Sequence, residues 1–237
     1  MNMLHDTSLS EWLLWRQSQF YPIVPFDAAT DHLCWLDFTA ANTELTDEML
    51  ADTELFGQWV TAQLARTGAR YGYGGYNEHR TVYSRSSHFG DAAAGEPRRL
   101  HLGMDIWGAA GTPVMAPLGG MVHSFAFNNR SGDYGATIIL SHQLDGRQLY
   151  TLYGHLSLAD LQRCKEGDYL VAGQVVGHLG QPHENGNWPP HLHFQVIEDL
   201  GLYEGDYPGV CRYSERQRWL ANSPDPDAIL QLGRYCR

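Results

Sequence analysis

The chain lacks a long apolar run and a basic leader. Across its 237 residues, no stretch approaches the roughly 18 apolar residues that a membrane-spanning helix requires. Residues 1–16 contain no basic region followed by an apolar segment and a small-residue cleavage site. We therefore expect neither a membrane anchor nor a secreted form, and the sequence predicts a cytoplasmic protein.

Basic residues are scarce. Lysine and arginine total 16 against 27 aspartates and glutamates, which gives a formal net charge of -11. Binding to nucleic acid or to an anionic membrane surface is favoured by an excess of positive charge. The charge balance therefore argues against both kinds of partner, and against electrostatic attraction to an anionic cell wall.

Cysteines are few and far apart, and they include no Cys-x-x-Cys pair. This pattern indicates neither a redox motif nor a cysteine zinc site, and free thiols are compatible with a reducing compartment. The sequence also lacks His-Glu-x-x-His, the motif in which helical zinc proteases carry two ligands and a general base. The four cysteines are Cys34, Cys164, Cys211 and Cys236.

The chain divides near residue 96 into two parts of different pattern. Residues 1–96 contain two predicted helices, at 8–19 and at 53–67, and the second has an apolar stripe at helical spacing with a glycine directly after it. Residues 68–76, which are rich in glycine and tyrosine, predict a flexible connection. A short β-prone segment follows at 81–83.

The rest of the chain is rich in strand-forming residues. Short β-prone segments separated by glycines fill residues 97–200, and short helices are predicted near 214–220 and 226–232. We expect residues 201–237 to pack on the β domain as a C-terminal extension. The predicted fold is mainly β with a helical N-terminal extension, α+β overall.

Five residues in three short stretches point to a metal site. They are His101 and Asp105 in His-Leu-Gly-Met-Asp, His155 in Tyr-Gly-His-Leu, and His191 and His193 in Pro-His-Leu-His-Phe. Neutral imidazoles and a carboxylate suit a catalytic zinc, which takes three protein ligands and leaves a fourth position for water. One Zn²⁺ per chain would use three of the five residues and leave two for proton transfer.

The predicted strands determine how these side chains are arranged. Alternating residues in the third stretch place His191 and His193 on one face of a strand. His101 and Asp105 also share a face if the backbone is extended, and Gly103 between them has no side chain to block a metal. A helix would bring the same two residues together, but Gly103 and the glycines that follow favour the strand.

With these motifs on one chain, residues 98–198 resemble the lysostaphin-type (LytM-type) zinc endopeptidases, whose members cut short peptide bonds in bacterial cell-wall peptidoglycan. The likeness extends to Gly-Thr-Pro-Val-Met-Ala-Pro-Leu-Gly-Gly-Met-Val at 111–122, Ile-Ile-Leu-Ser-His at 138–142 and Glu-Gly-Asp-Tyr-Leu-Val-Ala-Gly-Gln-Val-Val-Gly at 166–177. It implies an antiparallel β-sandwich or half-barrel of the lysostaphin (duplicated hybrid motif) type, acting on a peptide or amide substrate.

The resemblance also implies a role for each of the five residues. His101, Asp105 and His193 correspond to the zinc ligands, and His155 and His191 to a catalytic pair that does not bind the metal. Zinc lowers the pKa of its bound water to roughly 7, and a histidine can accept the proton that this water loses. Either histidine of the pair is a candidate for the base.

The segment before the last motif departs from the family pattern. The family commonly has Ser/Thr-Gly-Pro there and a Glu after the Phe, whereas this chain has Asn-Trp-Pro-Pro at 187–190 and Gln195. Trp188 either reshapes one wall of the cleft or serves as a hydrophobic cover over the β domain. A change at this wall would alter the family's preference for small substrate residues.

Two further residues are candidates for supporting roles. His142 corresponds to a frequent family histidine near the site and is a candidate to orient a ligand. Some family members hold themselves latent with an upstream asparagine that binds the zinc, and Asn77 is a candidate for that role. The alternative is that Asn77 caps a turn or pairs with Arg80.

Two other functions, a lipoyl or biotinyl carrier and a non-catalytic scaffold, can be compared with the sequence. The stretches at 114–122 and 166–177 also resemble the half-barrels of lipoyl and biotinyl carriers, but no Met-Lys-Met-like motif is present, and Lys165 precedes a strand. A non-catalytic relative that uses the fold as a scaffold usually loses ligands, whereas all five residues are present here.

The whole chain resembles, more weakly, a cytosolic branch of the family. In that branch, this kind of domain is fused to aminotransferase and phosphotransferase-like domains. The residues that carry the likeness are Tyr-Gly-Gly-Tyr-Asn-Glu at 73–78 and Gly-Asn-Trp-Pro-Pro-His-Leu-His at 186–193. It implies a small or recycled amide as the substrate.

Overall fold

The structure is a computed structural model and describes residues 7–85, 89–90 and 95–235. Short 3-10 turns lie at Gln17–Gln19, Val82–Arg85, Tyr213–Glu215 and Leu232–Tyr235. The helices are α1 (Leu9–Leu14), α2 (Asp47–Ala51), α3 (Thr53–Thr67), α4 (Leu158–Leu161), α5 (Arg216–Asn222) and α6 (Asp227–Leu230). The strands are β1 (Leu33–Trp35), β2 (Tyr71–Gly74), β3 (Leu100–His101), β4 (Met104–Trp107), β5 (Pro113–Met115), β6 (Gly120–Asn128), β7 (Gly135–Leu144), β8 (Arg147–Leu156), β9 (Tyr169–Leu170), β10 (Val175–His178), β11 (His191–Ile197) and β12 (Val210–Cys211).

One large sheet organises these elements. Its eight strands follow the order β1-β2-β4-β11-β8-β7-β6-β9, and β10-β5 and β12-β3 form two small sheets. The predicted mainly β fold is confirmed, and the described strands do not close into a barrel. The described pairing is antiparallel, as predicted for the β domain, except between β1 and β2, which both lie in the N-terminal segment. Helices α2 and α3 lie between β1 and β2 in the chain and provide the crossover that parallel strands need.

The central strand β11 is buried on both faces. All seven of its residues are buried. Leu192, Phe194 and Val196 belong to the main hydrophobic core, whereas His191, His193 and the residue after Phe194 point to the opposite face. The alternation that the sequence predicted therefore separates a core face from a polar face, and the polar face is covered as well.

The N-terminal segment contains the predicted long helix. Helix α3 spans Thr53–Thr67, as expected; the Asp52 side chain accepts two backbone N–H bonds at its start, and Gly68 ends it in a left-handed conformation with φ of 65°. Helix α1 is shorter than predicted, because a 3-10 turn at Gln17–Gln19 replaces its second half. Both C-terminal helices form near their expected positions.

Two local predictions in this segment are wrong. The predicted flexible connection is in fact strand β2, which is buried and pairs with β1 and β4. A side chain at Gly72 would collide with Leu36, so this glycine allows close packing rather than flexibility. Residues 81–83, predicted as β-prone, lie instead at the 3-10 turn that begins at Val82.

Both ends of the described chain pack into the main core. Trp12 of α1 and Ile229 of α6 are each about 2% exposed and belong to the same hydrophobic cluster as the strands. Cys34, Cys164 and Cys211 are free thiols, and Cys236 lies outside the described residues. Among the helices that the structure describes, none combines the length and the apolar character needed to cross a membrane.

Phe56 anchors α3 and gives a stability prediction. Its ring is fully buried and packs 5.6 Å from the ring of Trp107. We expect Phe56→Ala to lower the free energy of unfolding by about 3–5 kcal/mol, because it removes buried apolar surface and leaves a cavity. Denaturant unfolding measures this loss. Leu55→Ala, on the 41% exposed neighbour, is the matched control, and an equal loss in both variants would contradict the assignment.

Candidate zinc centre

Strand register brings three ligand candidates together. In the sheet, β11 pairs with β4 so that His193 lies directly opposite Asp105. His101 ends strand β3, and Leu102 and Gly103 then interrupt the strand before β4 begins. A side chain at Gly103 would collide with the ring of His193. The glycine that was expected to leave room for a metal therefore also lets the third ligand approach.

The three ligand atoms form a compact triangle. His101 Nε2 lies 2.8 Å from His193 Nδ1, and each of these nitrogens lies 3.3 Å from Asp105 Oδ1. Ligands at zinc distances of about 2.1 Å in a tetrahedron would lie about 3.4 Å apart. Within the described residues, this is the one group of three or more His, Cys, Asp or Glu side chains with metal-binding proximity.

The donor set fits a cation. Asp105 Oδ1 is buried and has no hydrogen-bond partner, and the two imidazole nitrogens face it and each other. His101, Asp105 and His193 are each at most 3% exposed. A buried carboxylate oxygen left without a donor is costly, and a zinc ion between the three atoms would satisfy it.

Hydrogen bonds behind the ligands orient their rings. His101 Nδ1 lies 3.0 Å from the Gly75 carbonyl oxygen, and His193 Nε2 lies 3.0 Å from Gln195 Oε1. A carbonyl oxygen can only accept, so the ring nitrogens donate and the opposite nitrogens keep their lone pairs for the metal. The Gln195 amide nitrogen donates in turn to the Pro208 carbonyl and to Ser223 Oγ.

His155 and His191 form a pair beside the three ligands. Their ring centroids are 4.1 Å apart. His155 Nδ1 donates to the Asn185 carbonyl and His191 Nδ1 to the Pro189 carbonyl, both at 2.8 Å. Because these acceptors hold the Nδ1 hydrogens, Nε2 carries the lone pair in both rings.

Backbone and ring contacts fix this pair. His155 has a φ of 63°, a conformation that few residues other than glycine adopt and that occurs where surrounding structure enforces it. The Trp107 indole stacks on His191 with centroids 3.9 Å apart and planes 10° apart. The neighbouring strand therefore sets the plane of the His191 ring.

Burial keeps the histidines neutral. Desolvation lowers the pKa of His191 to about 4 and that of His101 to about 3, and it holds the pKa of His155 well below its usual value. Burial acts to raise the pKa of Asp105, but His101 and Arg80 outweigh it and keep that pKa well below its usual range. At neutral pH the site therefore holds an ionised carboxylate at Asp105 and uncharged imidazoles at His101, His155 and His191.

The five residues open onto one cavity whose lining includes seven Phe, Tyr and Trp residues. Its volume is about 140 Å³. Trp188 lines it and is 4% exposed, and the ring also packs against Tyr83 and Phe89. Trp188 thus combines the two predicted alternatives, because it is both a wall of the cleft and part of a hydrophobic cluster.

His142 does not join the site. Its ring nitrogens lie 2.9 Å from the Gly119 carbonyl oxygen and 2.7 Å from Thr151 Oγ1. Thr151 pairs with Val196 across the sheet, and paired residues point to the same face. His142 therefore lies on the core face of the sheet, opposite His193.

Asn77 lies near the ligands only through its backbone. Its N–H donates to the His101 carbonyl oxygen at 3.0 Å, while its side chain is exposed. Its φ of 55° places it in a left-handed turn, which asparagine tolerates. The side chain of this segment that reaches the ligands is Arg80, whose Nη1 lies 2.5 Å from Asp105 Oδ2.

The sequence prediction missed four residues of the site. Gln195 was noted only as a departure from the family, although its position two residues after His193 already placed it on the ligand face. Trp107, Tyr134 and Arg80 line the cavity, and nothing in their local sequence separates them from ordinary core or surface residues. Their roles depend on strand register.

Fold and site together place a buried His-Asp-His group that could hold a metal ion beside two neutral histidines in a β sheet. The chain carries a domain of peptidase family M23, whose family model matches residues 99–203. The resemblance to the lysostaphin-type peptidases is thereby confirmed.

Two bacterial peptidases are similar to this chain in sequence. The chain is 32% identical over 159 residues to the L-Ala--D-Glu endopeptidase of Bacillus subtilis (strain 168), covering 62% of this chain and 47% of that protein. It is 34% identical over 126 residues to the DD-carboxypeptidase/endopeptidase Mpg of Neisseria meningitidis serogroup B (strain ATCC BAA-335 / MC58), covering 52% and 26%. The chain thus spans less than half the length of these relatives.

Among solved structures, the catalytic domain of the antimicrobial peptidase lysostaphin from Staphylococcus simulans is similar. The sequence identity is 24%, the match covers 74% of this chain and 97% of that domain, and the TM-score is 0.42.

Proposed function

We propose that this protein is a zinc-dependent metallopeptidase that hydrolyses a peptide or amide bond in the cavity beside His155 and His191. The observation that carries this proposal is the triangle of His101 Nε2, Asp105 Oδ1 and His193 Nδ1. The match to peptidase family M23 supports it. We assign the catalytic domain to residues 97–200, with one zinc ion per chain.

The chain's own residues divide the work between binding and proton transfer. His101, Asp105 and His193 would hold the metal, and the chemistry that zinc would supply there is polarisation of the scissile carbonyl and a lowering of the pKa of a water to roughly 7. His155 and His191 are neutral and present Nε2 lone pairs, so one accepts the proton of the attacking water. The proton taken from the water is then delivered to the leaving amine, either by the same ring or, after transfer between the two rings, by its neighbour, and the imidazolium that carries it stabilises the developing oxyanion.

The aromatic residues that line the cavity limit the space for waters other than the one that reacts. Tyr134 is buried, and its hydroxyl lies 3.4 Å from His193 Nε2. A site with few mobile waters strengthens the interactions of the carboxylate and the imidazoles with developing charge.

The substrate proposed first is a peptidoglycan-type peptide. The names of the two relatives, an L-Ala--D-Glu endopeptidase and a DD-carboxypeptidase/endopeptidase, support this substrate. A second candidate is a small amide that is not part of a cell wall. The cavity volume of about 140 Å³ favours it. This volume is below the roughly 300–1,000 Å³ that is common for small-molecule sites, so the cavity suits a small substrate. Trp188 occupies a wall that the family commonly builds with small residues.

A panel of substrates tests the proposal. Zinc-loaded protein is incubated with muropeptides, Gly-Gly peptides and short amides, and products are followed by mass spectrometry. We expect hydrolysis of at least one class, with loss of activity on chelation and recovery on adding zinc. Cleavage of muropeptides identifies the first substrate, and cleavage of short amides alone identifies the second. A zinc-loaded protein inactive on the whole panel would favour a non-catalytic scaffold.

A further inference from the structure

Arg80 is a buried charge outside the matched family domain. It precedes residues 99–203, and it is only 2% exposed. Its Nη1 lies 2.5 Å from Asp105 Oδ2, whereas Oδ1 of the same carboxylate faces His101 and His193 at 3.3 Å. The two oxygens of Asp105 therefore have different partners: one faces the proposed zinc position, and the other is held by Arg80.

The guanidinium is fixed from several directions. Its Nε donates to Glu78 Oε2 at 2.6 Å, Nη1 also donates to the Tyr83 hydroxyl at 3.3 Å, and Nη2 donates to the Gly74 carbonyl oxygen at 3.3 Å. An arginine presents its donors in a rigid planar fork, so these contacts determine its orientation. The fork in turn fixes the plane of the Asp105 carboxylate.

The charges of Glu78, Arg80 and Asp105 do not balance, and a cation beside Asp105 would balance them. Glu78 and Asp105 are both at most 8% exposed, and the single positive charge of Arg80 is shared between them. Two buried carboxylates and one guanidinium leave a net charge of -1, and a buried charge is costly unless it is paired. The unpartnered atom is Asp105 Oδ1, on the side away from Arg80, where the proposed zinc lies.

The backbone at Gly75 makes room for the Arg80 guanidinium and also contacts His101. Gly75 has a φ of 106°, and a side chain there would collide with the Arg80 guanidinium. The carbonyl of the same glycine accepts the Nδ1–H bond of His101 at 3.0 Å. Residues 74–80 therefore support two of the three ligands, His101 through a carbonyl and Asp105 through a guanidinium.

We propose that Arg80 is a positioning residue for the zinc ligand Asp105. By occupying Oδ2, it limits the carboxylate to binding through Oδ1 and fixes the direction of that oxygen. The N-terminal segment thus completes the metal centre of the family domain. This inference rests on the zinc centre of the proposed function, but it is tested by metal affinity and not by turnover.

The test compares zinc affinities of Arg80→Met, Arg80→Lys and the wild type, measured by competition with a chromogenic chelator. Loss of a partner behind a ligand typically lowers metal affinity by about 10–100-fold, and we expect this loss in Arg80→Met. Arg80→Lys keeps the charge without the fork, so we expect a smaller loss. Arg70→Met is the matched control, because Arg70 pairs with Asp31 at a half-exposed site, and its zinc affinity is expected to equal that of the wild type.

The visible absorption of the cobalt-substituted protein provides a second readout. Its bands report ligand geometry, so we expect them to change in Arg80→Met and to stay constant in Arg70→Met. A folded Arg80→Met protein with wild-type zinc affinity and an unchanged cobalt spectrum would overturn the inference. A wild-type protein that binds no zinc would overturn the proposed function as well, so the two failures are distinguishable.

If neither Arg80 variant folds, an NMR titration of the wild-type protein tests the positioning role of Arg80. The Nε–H signal of Arg80 in a ¹H–¹⁵N NMR spectrum is assigned and followed during zinc titration. A shift that saturates at one zinc per chain is expected, since the ion binds the carboxylate that Arg80 contacts. An Arg80 signal that does not respond would contradict the positioning role.

Discussion

Replacing His191 by alanine is expected to leave zinc bound and to lower turnover by about 100-fold or more. The ring lies beside the ligand triangle, but His191 is not among the described side chains that come close enough together to hold a metal ion. General acid–base catalysis by a placed side chain contributes typically about 10²–10⁴-fold. The measurement is kcat on a cleaved substrate, together with the zinc content of the purified variant.

His183→Ala is the matched control for this prediction, because His183 is exposed on the surface. It should keep both zinc and activity. Loss of zinc in His191→Ala would assign this residue to the metal, and unchanged turnover would remove it from the proton transfer. His155→Ala is expected to behave like His191→Ala, since both rings have the same tautomer and adjoin each other at 4.1 Å.

The second large effect is expected at the metal. His193→Ala should abolish near-stoichiometric zinc binding and, with it, hydrolysis. The substitution removes one of the three proposed ligands and also frees Gln195, which holds the ring. The loss of zinc affinity should exceed the roughly 10–100-fold that follows from losing a partner behind a ligand.

Thermal unfolding with and without zinc checks this result independently of activity. A ligand that binds only the folded state stabilises it by about 2.7 kcal/mol at a hundred times its Kd. Wild-type protein should gain this stability from zinc, and His193→Ala should not. A variant that retains one zinc per chain, with the same stabilisation as the wild type, would rule out His193 as a ligand.

Local patterns predicted the elements whose causes are local. Helix α3 follows from its apolar stripe, from the Asp52 cap and from Gly68, all within one segment. The polar face of β11 follows from the alternation that includes His191 and His193. The mainly β fold follows from many such short segments.

Predictions failed where the cause lies in distant residues. The glycine-rich stretch at 68–76 has the composition of a flexible connection, but it forms strand β2 because Leu36 packs closely over Gly72 and β4 supplies a hydrogen-bonding edge. His142 matches a family position, but sheet register directs it to the core face beside Thr151. Neither outcome depends on the neighbouring residues in the chain.

The sequence by itself determined the chemistry of the centre. His, Asp and His at these spacings, with two more histidines, predict zinc ligands and proton acceptors, because ligand preference is a property of the side chains. Only the tertiary structure decided which lone pairs face inward and what supports them. Arg80 meets Asp105 because β2, which ends six residues before Arg80, pairs with β4 and because the contact is buried. Pairing and burial exist only once the chain has folded.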